Sequence, residues 1–508
     1  MAGKRVLKSQ SNIAHLFWLL VCLAAIAMFC MQMAEVLQRY FSYPKKVTVE
    51  VIPAQVPFPA VSLCNMRNMD VHVLNTLNRK FIEDHSPINH INNSDNDFVR
   101  EYMKLSAKYG PLWYKYQGKY PLAFQEVFSR TTYSANIPQH IVSSAAVQLD
   151  EFVVSCYFGE YHCNTTNDFT MFFDPYYFNC FTYNMADPGQ ASSSEGIENG
   201  WSSVLYSGSG ILDRNKDIRV LPGLHESRSA VSANEGVRVV IHPPGTIPFP
   251  LTEGFDVPPG FSASFGIRPR QIKRIGPPHG NCITSNPFGD SSSQYRVLSC
   301  QKMCLQRYII NSCGCQDKTL PDVPDLKVNP CRNATDFPDS CMTDASDECL
   351  KQFFHLYDRI QCVRSTKDRF MKNSSLVTDC GCFPQCDEIS YDVSYSLSKW
   401  PASGYEGDAA FFDIFYIEGF RERFLNTPKY NMVMSYFHED NREKTMQDFA
   451  RLNVYIADSN VIVTQEMEDY PTTQLLSDIV GQLGLWIGIC IIVLAVILHV
   501  ECSSAILG

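Results

Sequence analysis

Runs of lysine and arginine are missing from this 508-residue chain, in which 43 basic residues are outnumbered by 53 acidic ones. Nucleic-acid binding relies on clustered cations that displace counterions from phosphate, so a net charge of −10 without a basic stretch does not fit that class. The short motifs of enzyme sites are also missing. The chain has no His-Glu-x-x-His, no phosphate-cradling glycine loop ending in Lys-Ser/Thr, and no Gly-x-Ser-x-Gly. Ser207-Gly208-Ser209-Gly210 reads as a flexible loop, so no catalytic residue is assigned and the chain is read as no enzyme. Charged residues are few, 19%, but hydrophobic ones reach 45%, which excludes a disordered or collagen-like chain. No internal repeat is found.

Two long apolar stretches stand at opposite ends. From Leu16 to Ala34 the only strongly polar residue is Gln32, and 19 residues make about 28 Å of helix. From Ile479 to Val500 the strongly polar residues are Gln482 and His499. Lys4, Arg5 and Lys8 before the first stretch also suit a secretory signal. The apolar run is longer than such a signal has, however, no small-x-small cleavage site follows, and Glu35 and Arg39 continue the same helix. Two membrane helices are expected, with both termini cytoplasmic because the positive charges stay inside. The chain then divides into a short cytoplasmic start (1–15), a first membrane helix (16–41), an extracellular part (42–476), a second membrane helix (477–500) and a cytoplasmic end (501–508). The setting is the plasma membrane, with lipid around both helices.

The extracellular part holds 16 of the 20 cysteines: Cys64, Cys156, Cys163, Cys180, Cys282, Cys300, Cys304, Cys313, Cys315, Cys331, Cys341, Cys349, Cys362, Cys380, Cys382 and Cys386. An even number on the oxidising side of a membrane suggests up to eight disulfides, with pairing left open. Cys313-Gly314-Cys315 and Cys380-Gly381-Cys382 could hold zinc inside a cell; outside it, disulfides are the better reading and no metal is assigned. Four glycosylation sequons, at Asn92, Asn164, Asn333 and Asn373, all fall in the same part.

Local pattern gives the outline of an α+β fold. Lys46-Val47-Thr48-Val49-Glu50-Val51 and Val61-Ser62-Leu63-Cys64 read as strand, turn, strand around Pro57-Phe58-Pro59. Residues 68–145 lean to helix. Strands resume at Phe152-Val153-Val154, Met171-Phe172-Phe173, Val237–His242 and Ala263–Ile267, separated by Pro-Gly turns. Residues 184–235, rich in Ser, Gly and Asn, read as surface loops. Residues 282–386 carry twelve of the cysteines and read as a disulfide-stapled helical or loop module.

Four segments, in order along nearly the whole chain, resemble the degenerin/epithelial sodium channel family: Phe58-Pro59-Ala60-Val61-Ser62-Leu63-Cys64-Asn65; Asn179-Cys180-Phe181-Thr182-Tyr183-Asn184; Pro277-Pro278-His279-Gly280-Asn281-Cys282; and Leu475–Gly488. The sequence is most similar to the invertebrate FMRFamide-gated sodium channels of that family. The resemblance implies two membrane helices flanking a cystine-rich extracellular domain with a central sheet and peripheral helices, assembled as a trimer. It also implies an amiloride-sensitive sodium channel opened by an extracellular neuropeptide, with sodium the permeant ion and no cofactor. An acid-sensing or constitutively active channel of the same family is the alternative. An ATP-gated channel or a non-conducting adhesion protein leaves the four segments unexplained.

The second helix agrees with that resemblance. Gly481, Gly484 and Gly488 at spacings of three and four leave one helix face without side chains, suited to a narrow pore or a close helix neighbour. Asp478 at the outer end is costly against lipid; in a trimer it makes a carboxylate ring that concentrates cations, and alternatively it caps the helix. The family has an extended Gly-x-Ser break that sets sodium selectivity. Its counterpart here is Gly488-Ile489-Cys490, with Cys replacing Ser, and Val496 stands where an acid is common. Ser477 occupies the small-residue position of the gate, and Tyr43 and His279 correspond to the coupling contact near the helix ends. Tyr43-Pro44-Lys45-Lys46-Val47 lacks the His-His pair of acid-sensing members. A peptide ending in Arg-Phe-amide needs a carboxylate and aromatic surface, for which Asp150, Glu151 and Phe152 are the candidates. The competing reading is an acidic turn followed by a core strand residue.

Overall fold

The structure is a computed structural model that describes residues 2–53, 57–74, 76–77, 96–184, 195–208, 234–284, 294–323, 326–334, 337–427, 429–430, 434 and 445–506. Helix α1 (Ala2–Phe41) leads into strands β1 (Lys45–Pro53) and β2 (Ala60–Asn65). Helices α2 (Asp97–Tyr116), α3 (Pro121–Val127), α4 (Arg130–Asn136) and α5 (Gln139–Ala145) follow. Strands β3 (Val153–Phe158), β4 (Tyr161–His162), β5 (Phe169–Asp174), β6 (Phe178–Tyr183), β7 (Trp201–Tyr206), β8 (Val237–His242), β9 (Phe255–Val257) and β10 (Phe261–Lys273) come next. After helices α6 (Val297–Cys313) and α7 (Asp347–Lys372) lie β11 (Asp387–Lys399), α8 (Tyr405–Phe412), β12 (Phe449–Ile456), β13 (Asn460–Glu468) and α9 (Thr472–Ile506). These fall into two compact units: Val51–Gln271 with Thr284–Val463, and Met1–Glu50 with Ile272–Ile283 and Thr464–Gly508.

In the larger unit one mixed sheet runs β13-β10-β12-β7-β3-β4, with β11 on β10, and a second runs β5-β6-β2-β8-β9. The two strands expected on either side of Pro57-Phe58-Pro59 therefore pair into different sheets. All six residues of β2 are buried, because the strand lies between β6 and β8. Its one hydroxyl, Ser62, hydrogen-bonds Thr182 at 2.7 Å and His242 Nε2 at 2.8 Å, so burial leaves no polar group of that side chain unmet. Burial pushes the His242 imidazole down to about 3, so it stays neutral there. Phe58, Leu63, Phe152, Phe181, Trp201, Phe265 and Leu452 form the core between the strands.

The expectation of surface loops over 184–235 is corrected by β7, which sits between β12 and β3 in the sheet. Its alternation places Trp201, Ser203 and Leu205 inward, and serine in such a strand disguised the apolar period. Residues 185–194 and 209–233 of that stretch lie outside the described residues.

The helices of the larger unit are set by their ends. Asn96 accepts hydrogen bonds from the amides of Phe98 and Val99 and so caps α2, whose buried face includes Phe98, Tyr102, Tyr109 and Leu112. Ser346 caps α7, which carries Asp347 and Glu348 in its first turn and Arg369 and Lys372 in its last, the arrangement its dipole favours. Gly314, at φ 69°, ends α6 in a left-handed turn between two bonded cysteines. Helices α6 and α7 and the turn after them are stapled by Cys300–Cys382, Cys304–Cys380, Cys313–Cys362, Cys315–Cys331 and Cys341–Cys349. Cys64–Cys180 joins facing residues of β2 and β6, and Cys156–Cys163 closes β3 onto β4. Cys282 and Cys386 are disulfide-bonded as well, so all 16 of these cysteines are oxidised and neither Cys-Gly-Cys pair is free for zinc.

In the smaller unit α1 and α9 pack along each other, and β1, β13 and the end of β10 lie side by side. Among the described residues one stretch, Leu19–Phe41, is long and apolar enough to cross a membrane. Both helices are longer than the apolar stretches: α1 includes residues 2–15, and α9 begins at Thr472, ahead of the expected start at 477.

Candidate functional site

The chain turns sharply where it leaves α1. Ser42 donates its hydroxyl to the Arg39 carbonyl at 2.7 Å, Tyr43 takes a left-handed φ of 47°, and Pro44 cannot continue a helix. The Pro44 carbonyl accepts the Asp469 amide at 3.0 Å, which aligns the segment entering α9 with the one leaving α1. Next along β1, Lys45 donates to Glu466 at 2.7 Å, and Glu466 also accepts the Ile275 amide at 3.3 Å. The Lys45 hydrogen bond holds the Glu466 carboxyl below the usual carboxylate range.

Tyr43 and His279, paired by resemblance, are brought together. Their rings meet edge to face with centroids 5.3 Å apart, and Tyr40 lies 6.4 Å from Tyr43. His279 Nδ1 is 4.0 Å from Glu468 Oε1.

Asp478 is not the cap of α9, because the helix starts six residues earlier, at Thr472. Its carboxylate is instead held on both oxygens: Oδ2 accepts the Tyr470 hydroxyl, and Oδ1 accepts Gln474 Nε2 at 2.9 Å. Tyr470 in turn lies beneath the Arg39 guanidinium, 4.8 Å from the ring centroid, while Arg39 Nη2 is 3.4 Å from Asp469. Sequence reasoning missed Arg39, Tyr470 and Gln474 as a group. Gln474 was detectable, since it stands four residues before Asp478 on one helix face; the other two come together only by folding. Ser477 is exposed beside this cluster.

Farther along, the Trp486 indole donates to Gln32 of α1 at 2.8 Å and to Gln482 at 3.1 Å. The strongly polar side chain of the first apolar stretch is thereby met inside the helix pair, as a hydrocarbon setting requires. An added Cβ at Gly481, Gly484 or Gly488 meets no atom within 4 Å among the described residues, so this face is open in the single chain. The expected break at Gly488-Ile489-Cys490 does not occur. The helix runs through these residues without interruption, because every backbone amide there keeps a place in the helical ladder.

The candidates for ligand contact belong to the interior. Phe152 is fully buried in the core, and Glu151 is an ion-pair partner of Lys429 at 2.7 Å and of Arg67 at 3.3 Å. Lys429 also pairs with Asp70. Only Asp150 of the three is exposed. Tyr177 is buried, and Phe172 and Tyr176 pack against its cluster, as expected of sheet residues. Of the sequons, Asn164 and Asn373 are exposed, Asn333 is half-buried, and Asn92 lies outside the described residues.

A family model described as amiloride-sensitive sodium channel matches residues 1–498. The FMRFamide-activated amiloride-sensitive sodium channel of Cornu aspersum is 25% identical over 96% of this chain and 79% of its own length. Degenerin-like protein unc-105 of Caenorhabditis elegans is 27% identical over 69% of this chain, which spans about a third (34%) of that protein. Epithelial sodium channel subunit alpha of Neoceratodus forsteri is 23% identical over 96% of this chain and 74% of its own length. A match over almost every residue, with the first apolar stretch, the cystine framework and nearly all of the second apolar stretch inside it, settles the family: the chain belongs to the amiloride-sensitive sodium channels, which are ion channels and not enzymes.

Proposed function

We propose that this chain is the subunit of a homotrimeric, sodium-selective channel of the plasma membrane, opened by an extracellular FMRFamide-type peptide and blocked by amiloride. The observation that carries the reading is the likeness over 96% of the chain to a relative activated by FMRFamide. The open glycine face of α9 and the carboxylate of Asp478 at its outer part suit a pore built from three copies of this helix. In this reading α9 is the second membrane span, both termini are cytoplasmic, and glycans sit on the sequons of the extracellular part.

Gating follows from the same parts. A peptide binds among the helices and loops between residues 68 and 160, where recognition residues sit on a rigid sheet. The shift reaches Tyr43 and His279, the α9 helices separate, and sodium enters down its gradient past Asp478, Gly484 and the helical segment Gly488-Ile489-Cys490.

Voltage clamp of cells expressing the chain alone tests this. An inward sodium current on FMRFamide-type peptide, blocked by amiloride and absent on acid, is the expected result. Current on acid alone assigns the chain to an acid-sensing branch. Ser477→Trp is expected to give standing current without ligand; a silent mutant present at the cell surface counts against Ser477 as the gate.

A further inference from the structure

We infer that Tyr470 is a positioning residue of the conduction pathway, fixing the Asp478 carboxylate through its hydroxyl while being held itself by Arg39 of α1. The inference rests on the reading of Asp478 as an outer-pore carboxylate. Four observations converge on it. The Tyr470 side chain is 2% exposed, although Tyr470 lies between an exposed Asp469 and a helix entrance, so it is anchored and not a swinging surface ring. Its hydroxyl donates to Asp478 Oδ2, and Gln474 Nε2 donates to Oδ1 at 2.9 Å. The Arg39 guanidinium covers the ring at 4.8 Å. Arg39 is itself placed by Asp469, 3.4 Å away.

The chemistry of these donors is what matters. Both are neutral, so they orient the carboxylate without cancelling its charge, whereas a lysine or arginine in either place would neutralise it. Each carboxylate oxygen has two acceptor sites and here uses one, which leaves a lone pair on each oxygen for water or a passing cation. A carboxylate free to turn about its side-chain bonds spreads its charge over several directions. One fixed at both oxygens concentrates it, and preorganised charge acts on ions without reorganisation at the moment of passage. Arg39 contributes from the ring's far side: it is a cation whose attraction is spent on Asp469 and the tyrosine face, away from Asp478.

Single-channel recording of the full chain distinguishes this from a packing role. Tyr470→Phe keeps the ring beneath Arg39 and removes only the hydroxyl. We expect unitary sodium conductance at about 10 mM salt to fall roughly twofold, with a smaller change at about 150 mM, where screening shortens the reach of the carboxylate. Gln474→Leu, an exposed change that leaves the ring in place, is expected to act in the same direction. Asp478→Asn sets the full size of the effect, and Tyr470→Phe added to it is expected to change nothing further. Normal unitary conductance in both Tyr470→Phe and Gln474→Leu, alongside a fall in Asp478→Asn, overturns the positioning role and leaves the pore reading intact. No fall in Asp478→Asn removes the pore reading and this inference together.

Discussion

The two compact units of this chain are held by different kinds of force. The larger one has a core of fully buried aromatic and aliphatic side chains, and seven disulfides lie wholly within it. Even its charged interior is fastened, with Lys429 serving Asp70 and Glu151 together. The smaller unit joins its two helices to their incoming strands through side chains at the surface: Arg39 with Asp469, Lys45 with Glu466, Tyr43 with His279. Exposed ion pairs are each worth about 0–1 kcal/mol, whereas a buried aromatic contributes several times that. The larger unit thus rests on burial and covalent links, whereas these contacts of the smaller unit are individually weaker.

Breaking the larger unit has the greatest consequence. Replacing Cys64 and Cys180 together with alanine opens a loop of 116 residues, for which chain entropy alone gives a loss of about 5 kcal/mol. Surface expression and the melting temperature of the detergent-purified protein are expected to fall steeply. Lys429→Met comes next, at about 3 kcal/mol, since it removes the cation of the buried Asp70 and leaves Glu151 with Arg67 alone. A melting temperature unchanged in that variant disproves the fastening role of the cluster.

Changes in the smaller unit are expected to leave folding almost as it was and to move function. On the proposed peptide-gated reading, Tyr43→Ala removes a ring contact worth about 1 kcal/mol, which corresponds to roughly a fivefold shift in the peptide concentration for half-activation, at unchanged surface expression. Lys45→Met is the mildest, with an effect on stability below about 1 kcal/mol that high salt removes. Its pH signature has a definite sign. Because the Glu466 carboxyl is held below its ordinary range, the pair's contribution is complete above that range and disappears only as pH falls through the lowered value. Response curves of Lys45→Met and the parent channel are expected to overlay between about pH 7 and pH 5 in their relative shape; divergence in that interval assigns proton sensitivity to this pair.

Much of the architecture was legible in the residues. β8 and β10 contain the expected strands Val237–His242 and Ala263–Ile267, and α6 and α7 occupy the cysteine-dense module. The strands β11, β12 and β13 and the buried β7 were not: serine and charged residues interrupt their alternation, and β11 is exposed or half-buried along its whole length. At the site, the pattern located Asp478 and the three glycines but not their surroundings. The alternative reading of Asp478 as a helix cap comes from polar residues preceding an apolar run; the helix begins at Thr472, with the Pro471 carbonyl accepting the Leu475 amide at 3.1 Å. Asp150-Glu151-Phe152 illustrates the opposite error, in which an acidic pair beside an aromatic suggests a ligand site. Only the folded chain shows that Arg67 and Lys429 converge on Glu151 from 84 and 278 residues away.

The unbroken course of α9 has a mechanical meaning. Its 35 residues make a rod about 52 Å long, against a hydrocarbon layer of about 30 Å. A kinked helix takes up an imposed rotation at its kink, but a straight one delivers it to the far end. Tilting this rod by about 10° at Thr472 carries Ile506 sideways by roughly 9 Å. On the proposed reading of α9 as the second membrane span, the stiffness of one helix converts a modest displacement at Thr472 into a wide one at Ile506.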